Sequence, residues 1–499
     1  MQRRARPVNA LLLYPPFPDT FWSFKHALAF TDRDALLPPL GLLTVAALLP
    51  DSWSLRLVDL NVEPLTDREL AWADLALVGG MQVQEDSARR LIERCKGAGL
   101  PVVAGGPLFA YDHERFEQVD HFVLGEAEVS LPPFLDDLAA GRARRLYRPS
   151  ALPELAASPI PRWDLVTPGR YASMAVQYSR GCPYGCEFCN VTALFGRRPR
   201  IKPAARLLAE LDRLYGLGWR GPVFFSDDNL IGNRRHVKED LLPALIEWKR
   251  GKRGMPFFTQ ASVNLADDAE LLGQMREAGF TTVFLGIETP EEAALLEVNK
   301  KHNLGRDLAG DVRTIHRAGL QVQAGFIVGF DSDTPSVFER QRSFIQRTGI
   351  VTAMVGMLQA PPGTRLRDRL EREGRLTGGI TGDNVDGTTN ILPRMGLEAL
   401  RSGYRALVDD LYSPATFYER VRSFLQVYDP PAVRTPLTLE SLKGFVRSLY
   451  VLGVRERGRR QFWRLAGWVL THRPRLFPLA VKESICGLHF RRVSRCRIA

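Results

Sequence analysis

The chain has 499 residues, 45% hydrophobic and 25% charged, the composition of a soluble globular protein. Its length calls for two to four domains rather than one core. Its +11 charge sits at one end: from Ser441 onward fourteen Lys and Arg face two Glu, a balance of +12 that leaves −1 for everything before. The high pI therefore belongs to a tail, and a nucleic-acid protein is not implied for the body. Six scattered cysteines make no disulfide framework, so a reducing compartment is expected. The apolar stretch 10–13 behind a basic N-terminus is too short for a signal peptide, and no window has the eighteen or so uncharged apolar residues that would span a bilayer.

Residues 8–130 read as alternating strands and helices. Apolar runs at 9–14, 55–60, 75–80, 101–104 and 121–124 are separated by helical patterns such as 40–49 and 85–98, which predicts a parallel, doubly wound sheet. Ligands bind such sheets beyond the carboxyl ends of the strands. There the sequence places Gly79-Gly80-Met81, Gly105-Gly106-Pro107 and Gly125-Glu126. Glycine lets backbone approach a ligand. Each alone is equally a tight turn, but three at one sheet edge point to a pocket. No G-x-G-x-x-G follows the first strand, so a nicotinamide-dinucleotide domain is not expected. Phe17, Phe21, Trp22 and Phe24 follow strand one; so apolar a segment must cover something, and packing on the second domain ranks above walling a ligand cavity.

Prolines at Pro132, Pro133, Pro159 and Pro161 predict a linker over 131–170. A second pattern follows, with strand-like runs at 174–179, 223–226, 257–261, 282–287, 322–328 and 352–358 and helical stretches at 204–215, 267–278 and 307–318. Six strands with crossover helices predict a partial (β/α)6 barrel whose chemistry sits at the carboxyl ends of its strands. Directly after the first of these strands stand Cys182, Cys186 and Cys189, in C-x3-C-x2-C spacing. Three thiolates on one short loop can hold three irons of a [4Fe–4S] cluster, whose complete protein ligation takes four. Zinc is the alternative, but a structural zinc site takes a fourth Cys or His, and none follows within the next forty residues. Beyond residue 392 the pattern is helical, as at 397–411 and 413–425, with a Pro-rich break at 427–436.

This spacing, with the aromatic Phe188 before the last cysteine, resembles the signature of the radical S-adenosylmethionine (SAM) superfamily. The resemblance implies that the amino and carboxylate groups of SAM chelate the open iron, and that one electron then cleaves SAM to a 5′-deoxyadenosyl radical. It also implies that Asp228 or Asn229 holds the SAM amino group, since a carboxylate or amide oxygen accepts from an ammonium, and that Glu288 contacts SAM or the substrate. Asp227 reads as an Asx turn. Gln260, Ser262 and Asn264 end the third strand; residues 325–330 resemble the strand that packs on adenine and read equally well as ordinary barrel core, and 359–364 resemble a loop able to close over the adenosyl group. Arg180 and Arg200 stay open between the SAM carboxylate and nearby acids.

The N-terminal sheet ahead of such a loop resembles the cobalamin-binding domain of B12-dependent radical SAM enzymes. The implied cofactor contacts are Gly79, Met81, Gly105, Gly106, Gly125 and Glu126. The D-x-H-x-x-G motif that supplies a cobalt-binding histidine in other B12 proteins is absent, as is common in this subgroup, and His26 is the only nearby histidine. By architecture and motif wording the chain resembles the methyltransferase subgroup that includes hopanoid methylases. The resemblance implies an α/β fold with a cobalamin-binding, Rossmann-like domain (1–150), a radical SAM core (165–395) and a C-terminal helical region with a basic tail (396–499). It implies methyl transfer to an unactivated carbon of a small-molecule substrate, a polycyclic lipid among the candidates, and an electron donor such as flavodoxin or ferredoxin. Ring closure or oxidation with the same cofactors is the alternative, and RNA modification a more distant one, since no RNA-binding module is visible. No residue is assigned to the chemical step itself. In the tail, Phe462, Trp463, Leu465, Trp468, Val469 and Leu470 interleave with Arg459, Arg460, Arg464 and Arg473. That pattern suits an anionic membrane surface and suits equally a packed helix with a solvated basic face. The expected location is cytoplasmic, with peripheral contact at the inner face of the membrane.

Overall fold

A computed structural model of the chain describes residues 8–149, 151–431 and 439–497. Its contacts divide it into two compact units: 1–18, 34–179 and 200–219 form the first, and 19–33, 180–199 and 220–499 the second.

The first unit is built on six parallel strands, β1 (Asn9–Tyr14), β2 (Ser54–Asp59), β3 (Leu75–Gly79), β4 (Val102–Gly105), β5 (His121–Val123) and β6 (Leu146–Tyr147), in the order β2-β1-β3-β4-β5-β6. Ala10, Leu11, Leu12 and Leu13 are wholly buried, as an unbroken apolar run must be at the centre of a parallel sheet covered on both faces. The chain steps from β1 to β2 on one side and then crosses to β3 on the other, which puts the switch of direction between β1 and β3. Gly79 lies opposite Gly105, and Gly105 opposite Val123. The three glycine-bearing loops therefore leave one edge of the sheet side by side, as expected.

Residues 131–170 are not a linker. The helix Ala127–Ala139 runs through Pro132 and Pro133, giving up two amide donors shortly after its first turn. Beyond it β6 closes the sheet, Leu155 and Trp163 are buried, and Arg162 N–H donates to the Leu43 carbonyl at 3.1 Å. Tyr171 ends the stretch, its hydroxyl donating to Asp59 Oδ2 at 3.1 Å. The prolines mark the turns of this segment, and the large apolar residues between them make it core.

The strand β7 (Met174–Val176) and the two-residue strands β8 (Ser179–Arg180) and β9 (Arg200–Ile201) bracket the cysteine loop in sequence. In the second unit β10 (Val223–Phe225), β11 (Phe257–Ala261), β12 (Phe280–Glu288), β13 (Gln321–Val328) and β14 (Ala353–Met357) pair in parallel in chain order. The amphipathic helices Ala269–Ala278, Leu308–Arg317 and Val337–Thr348 connect them. After β14 comes the helix Arg365–Arg372, and beyond residue 392 the described residues form the α-helices Leu397–Leu411, Pro414–Val427, Leu439–Tyr450, Arg459–His472 and Phe477–Arg497. The predicted Pro-rich break lies partly outside the described residues.

The aromatic segment after β1 parts at Pro18. Phe17 stays edge-on to Tyr14 in the first unit, ring centroids 5.8 Å apart. Residues 19–33 pack within the second unit: Phe21 stacks on Phe490 at 4.1 Å, Trp22 meets Phe284 edge-on at 5.3 Å and aims its indole N–H at Met354 Sδ, 2.9 Å away. His26 lies beside Asp19 and His489 in the same unit.

Because Trp163 is fully buried, Trp163→Ala is expected to cost about 3–5 kcal/mol in the unfolding transition of the first unit, read by urea denaturation. A change under about 0.5 kcal/mol, the surface-residue value, would return 131–170 to the status of a linker.

Candidate functional site

The cysteine loop is fixed by its backbone. Gly181 enters it at φ 96°, where a Cβ would stand 2.9 Å from the Gly196 carbonyl oxygen, so only glycine fits without a shift. Cys182 N–H reaches the same Gly196 carbonyl at 3.4 Å. Glu187 N–H donates to Val298 O at 3.0 Å, Leu366 N–H to Glu187 O at 3.1 Å, and Asn299 Nδ2 to Gly185 O at 2.8 Å; the Arg365 guanidinium also donates to Gly185 O. Segments far apart in sequence thus clamp three free thiols into one partly buried loop. Among the described residues no three His, Cys, Asp or Glu side chains converge as they would on a single ion; thiolates that each meet a different iron have no need to.

Burial raises the pKa of all three thiols, that of Cys189 to about 12. The cation common to all three, and opposing that rise, is Lys300. Lys300 is itself buried, with Nζ 2.6 Å from Glu288 Oε1 and 5.8 Å from the centre of the Phe188 ring. Burial works against its charge, but Glu288, together with Cys186 and Cys189, more than offsets this and its pKa stays above the usual lysine value. Glu288 ends β12 at φ 64°, where the register with β13 slips. A non-glycine residue in that left-handed region beside a bulge is a backbone over-determined by its surroundings. Asn303 Nδ2 bonds the Gly286 and Ile287 carbonyls at 3.2 Å each, and Gln341 Nε2 reaches Glu288 O at 3.3 Å. The bulge turns the carboxylate toward Lys300.

The loop after β10 touches the entrance of the cysteine loop. Asp228 is pushed up to about 6 by burial, opposed by a hydrogen bond from the Gly181 backbone. Asn229 is buried and hydrogen-bonds the Cys182 sulfur. Its Oδ1 accepts from Ser262 N–H at 3.1 Å. Ser262 Oγ donates to Asn264 Oδ1 at 2.6 Å, and Asn264 Nδ2 to the Tyr184 hydroxyl at 2.9 Å. Tyr184, inside the cysteine motif, stacks on His302 at 3.7 Å. Burial, then Lys300, drives the pKa of His302 down to about 3, so the ring is neutral. Of the residues singled out in the sequence, Cys182, Cys186, Cys189, Asp228, Asn229, Glu288, Ser262 and Asn264 are thus linked by direct contacts or through Lys300. Lys300, Tyr184 and His302 were not singled out. Tyr184 was legible as a second aromatic in the motif, but nothing in the spacing ties Lys300 to Glu288.

In the first unit, Gly79, Met81, Gly105, Gly106 and Gly125 line the loops at the shared sheet edge. Gly106 adopts φ 91° with its Cα facing the Gly80 carbonyl, to which Leu108 N–H donates at 3.1 Å. Gln84 ties two of the loops together, accepting from Met81 N–H at 2.8 Å and donating to the Pro15 carbonyl. Met81 itself is half exposed, a large apolar side chain at the mouth of these loops. Glu126 is engaged within the protein: both its carboxylate oxygens accept from Arg200, which also donates to Pro153 O at 2.7 Å. Arg200 therefore pairs with an acid of its own unit.

Three family models match the chain: the B12 binding domain over 28–135, the radical SAM superfamily over 176–344, and a domain of unknown function, DUF4070, over 364–498. The chain is 42% identical to the uncharacterized methyltransferase sll1242 of Synechocystis sp. over 97% of its own length and 91% of that protein's. It is 38% identical to the hopanoid C-2 methylase of Rhodopseudomonas palustris, over 77% of this chain and 73% of the relative. Among solved structures, the cobalamin-dependent SAM radical enzyme OxsB with aqua-cobalamin bound shares the fold, with a TM-score of 0.62 at 13% identity over 99% of this chain and 81% of that one.

Removing one partner of the buried pair leaves the other charge without compensation. Lys300→Met is expected to destabilise the metal-free protein by about 3–5 kcal/mol, and adding Glu288→Gln to restore most of that loss. Equal losses in the single and double variants, measured by denaturant unfolding, would show that the two charges do not depend on each other.

Proposed function

Since the chain belongs to the B12-dependent radical SAM methyltransferases, whose cofactors are SAM, a [4Fe–4S] cluster and cobalamin, we propose that it methylates an unactivated carbon of a hydrophobic small molecule. The observation that carries the reading is the clamped loop of three thiols built against a buried cation, in a chain whose other unit presents three glycine loops at one sheet edge. When bound, the cluster supplies the electron that cleaves SAM, and cobalamin supplies a transferable methyl group.

The chain's own residues have separable tasks in this reading. Cys182, Cys186 and Cys189 offer three ligands, one short of the four that would close a cluster, which leaves one iron to the amino and carboxylate groups of SAM. Lys300 favours the thiolates over the thiols that burial alone would dictate. Asp228 and Asn229, beside the start of the loop, have the oxygens an ammonium group needs. Glu288, already bonded to Lys300, positions that lysine rather than meeting SAM alone. In the first unit, the backbone of the loops at Gly79, Gly105, Gly106 and Gly125, with the Met81 side chain, offers a surface for the corrin. Glu126 contributes through its backbone, because its carboxylate is committed to Arg200. A small electron-transfer protein such as flavodoxin or ferredoxin completes the cycle.

A polycyclic lipid is the substrate class this reading favours, supported by the hopanoid C-2 methylase among the relatives. The test is anaerobic incubation of reconstituted enzyme with a panel of polycyclic lipids, reductant and SAM carrying a trideuterated methyl group. The expected product carries the intact label at carbon, and Cys186→Ala forms neither that product nor 5′-deoxyadenosine. Cleavage of SAM with a product that is cyclised or oxidised but unlabelled would contradict methyl transfer.

A further inference from the structure

Among the described residues no helix is long and apolar enough to cross a membrane, yet large apolar side chains stand in water along the C-terminal helices. Leu442, Val446, Tyr450 and Val454 are each more than half exposed and recur every fourth residue along Leu439–Tyr450 and its continuation Val451–Arg455. That spacing keeps them on one side of the helix. On the helix Arg459–His472, Phe462, Leu465 and Val469 are buried against the body, whereas Trp463 and Leu470 remain half exposed two turns apart. The Trp463 indole lies over Gly453 and donates to its carbonyl at 2.9 Å. That contact joins the two helices at Gly453, the residue before Val454. Interleaved with them in sequence are the exposed Lys443, Arg447, Arg455, Arg459, Arg460 and Arg464. Between Leu442 and Leu470 the one acid is Glu456, which is held by Arg492 at 3.0 Å.

We infer that this face docks the protein onto the surface of an anionic lipid bilayer without crossing it. Three features of the face select that occupant. The aliphatic stripe would be unfavourable against water alone. Cations flank it with almost no acid, which suits a negatively charged surface and not the core of a protein interface, where charges are depleted. Tyr450 and Trp463 are among its exposed side chains, residue types that settle at the headgroup level. Nucleic acid would use the cations and the aromatic rings but has no use for Leu442, Val446, Val454 or Leu470. The inference does not rest on methyl transfer; it concerns where the protein sits.

The test is co-sedimentation of the full-length, reconstituted protein with vesicles of phosphatidylcholine alone or mixed with phosphatidylglycerol. Binding is expected on the mixed vesicles, weakening as salt rises, with little on phosphatidylcholine alone. Val446→Glu with Tyr450→Glu, both exposed positions, is expected to weaken it more than tenfold while melting temperature and SAM cleavage stay unchanged. Lys443→Gln with Arg447→Gln is expected to weaken it about fivefold per charge removed and to flatten the salt dependence. Wild-type protein that ignores the anionic vesicles, or variants that bind them as well as wild type, would overturn the inference. So would a dimer in sedimentation velocity that Val446→Glu dissociates, or binding to RNA that replaces binding to vesicles. Lipid methylation is assayed separately with detergent-dispersed substrate, so failure on vesicles leaves the reaction itself untouched.

Discussion

Lys300 and Glu288 are held out of water together, and the active part of the second unit is arranged around that pair. An isolated buried ammonium would lose its proton and an isolated buried carboxylate would gain one. At 2.6 Å the Glu288 carboxylate holds the pKa of Lys300 above the usual lysine value. The partnership requires a backbone that turns Glu288 inward, which is why β12 ends in a left-handed residue at a register slip rather than continuing straight. The cysteine loop is then bonded to the residues just before the lysine, through Val298 and Asn299. Three thiols that burial would hold protonated thus face one fixed positive charge. Without it the loop would still be clamped, but its sulfurs would be poorer ligands.

The two units answer different chemical needs. The second confines thiols, a cation and a short polar chain from Asn229 to Tyr184 at the ends of parallel strands, where side-chain geometry is set by the sheet. The first presents backbone more than side chains: glycines, a glutamine bridging two loops and one exposed methionine. A reactive centre needs fixed donors; a large planar cofactor needs a surface without side chains in its way. The candidate cofactor-binding residues divide in the same manner, the cysteines in the second unit and the glycines in the first.

Much of the fold could be read from the sequence because strands buried on both faces leave unbroken apolar runs. The run at 9–14 matches β1 end to end. The cysteine motif was legible for another reason: no common structural role needs that spacing. What escaped depended on contacts between distant residues. Lys300 reads as one of several surface lysines until β12 bulges. The prolines of 131–170 look like linker because proline reports on backbone and is silent about Trp163 beside it. The aromatics after β1 were plainly meant to be covered, and packing on the second domain was expected, but only the structure shows Phe490 and His489 of the last helix among their partners. In the tail, the sequence supported a packed helix and a membrane-facing one equally. The structure divides the residues, with Phe462, Leu465 and Val469 buried and Trp463 and Leu470 left in water.

For one chain to hold two metal cofactors, two independent sets of residues are needed. The most direct test of this arrangement is metal analysis after anaerobic reconstitution with iron, sulfide and hydroxocobalamin, comparing the wild-type protein with Cys182→Ala/Cys186→Ala/Cys189→Ala. About four irons and one cobalt are expected per wild-type chain, the composition of one cluster and one cobalamin, with loss of the iron and retention of the cobalt in the triple variant. Iron that survives loss of all three cysteines, or a wild-type chain that takes up iron but no cobalt, would contradict it.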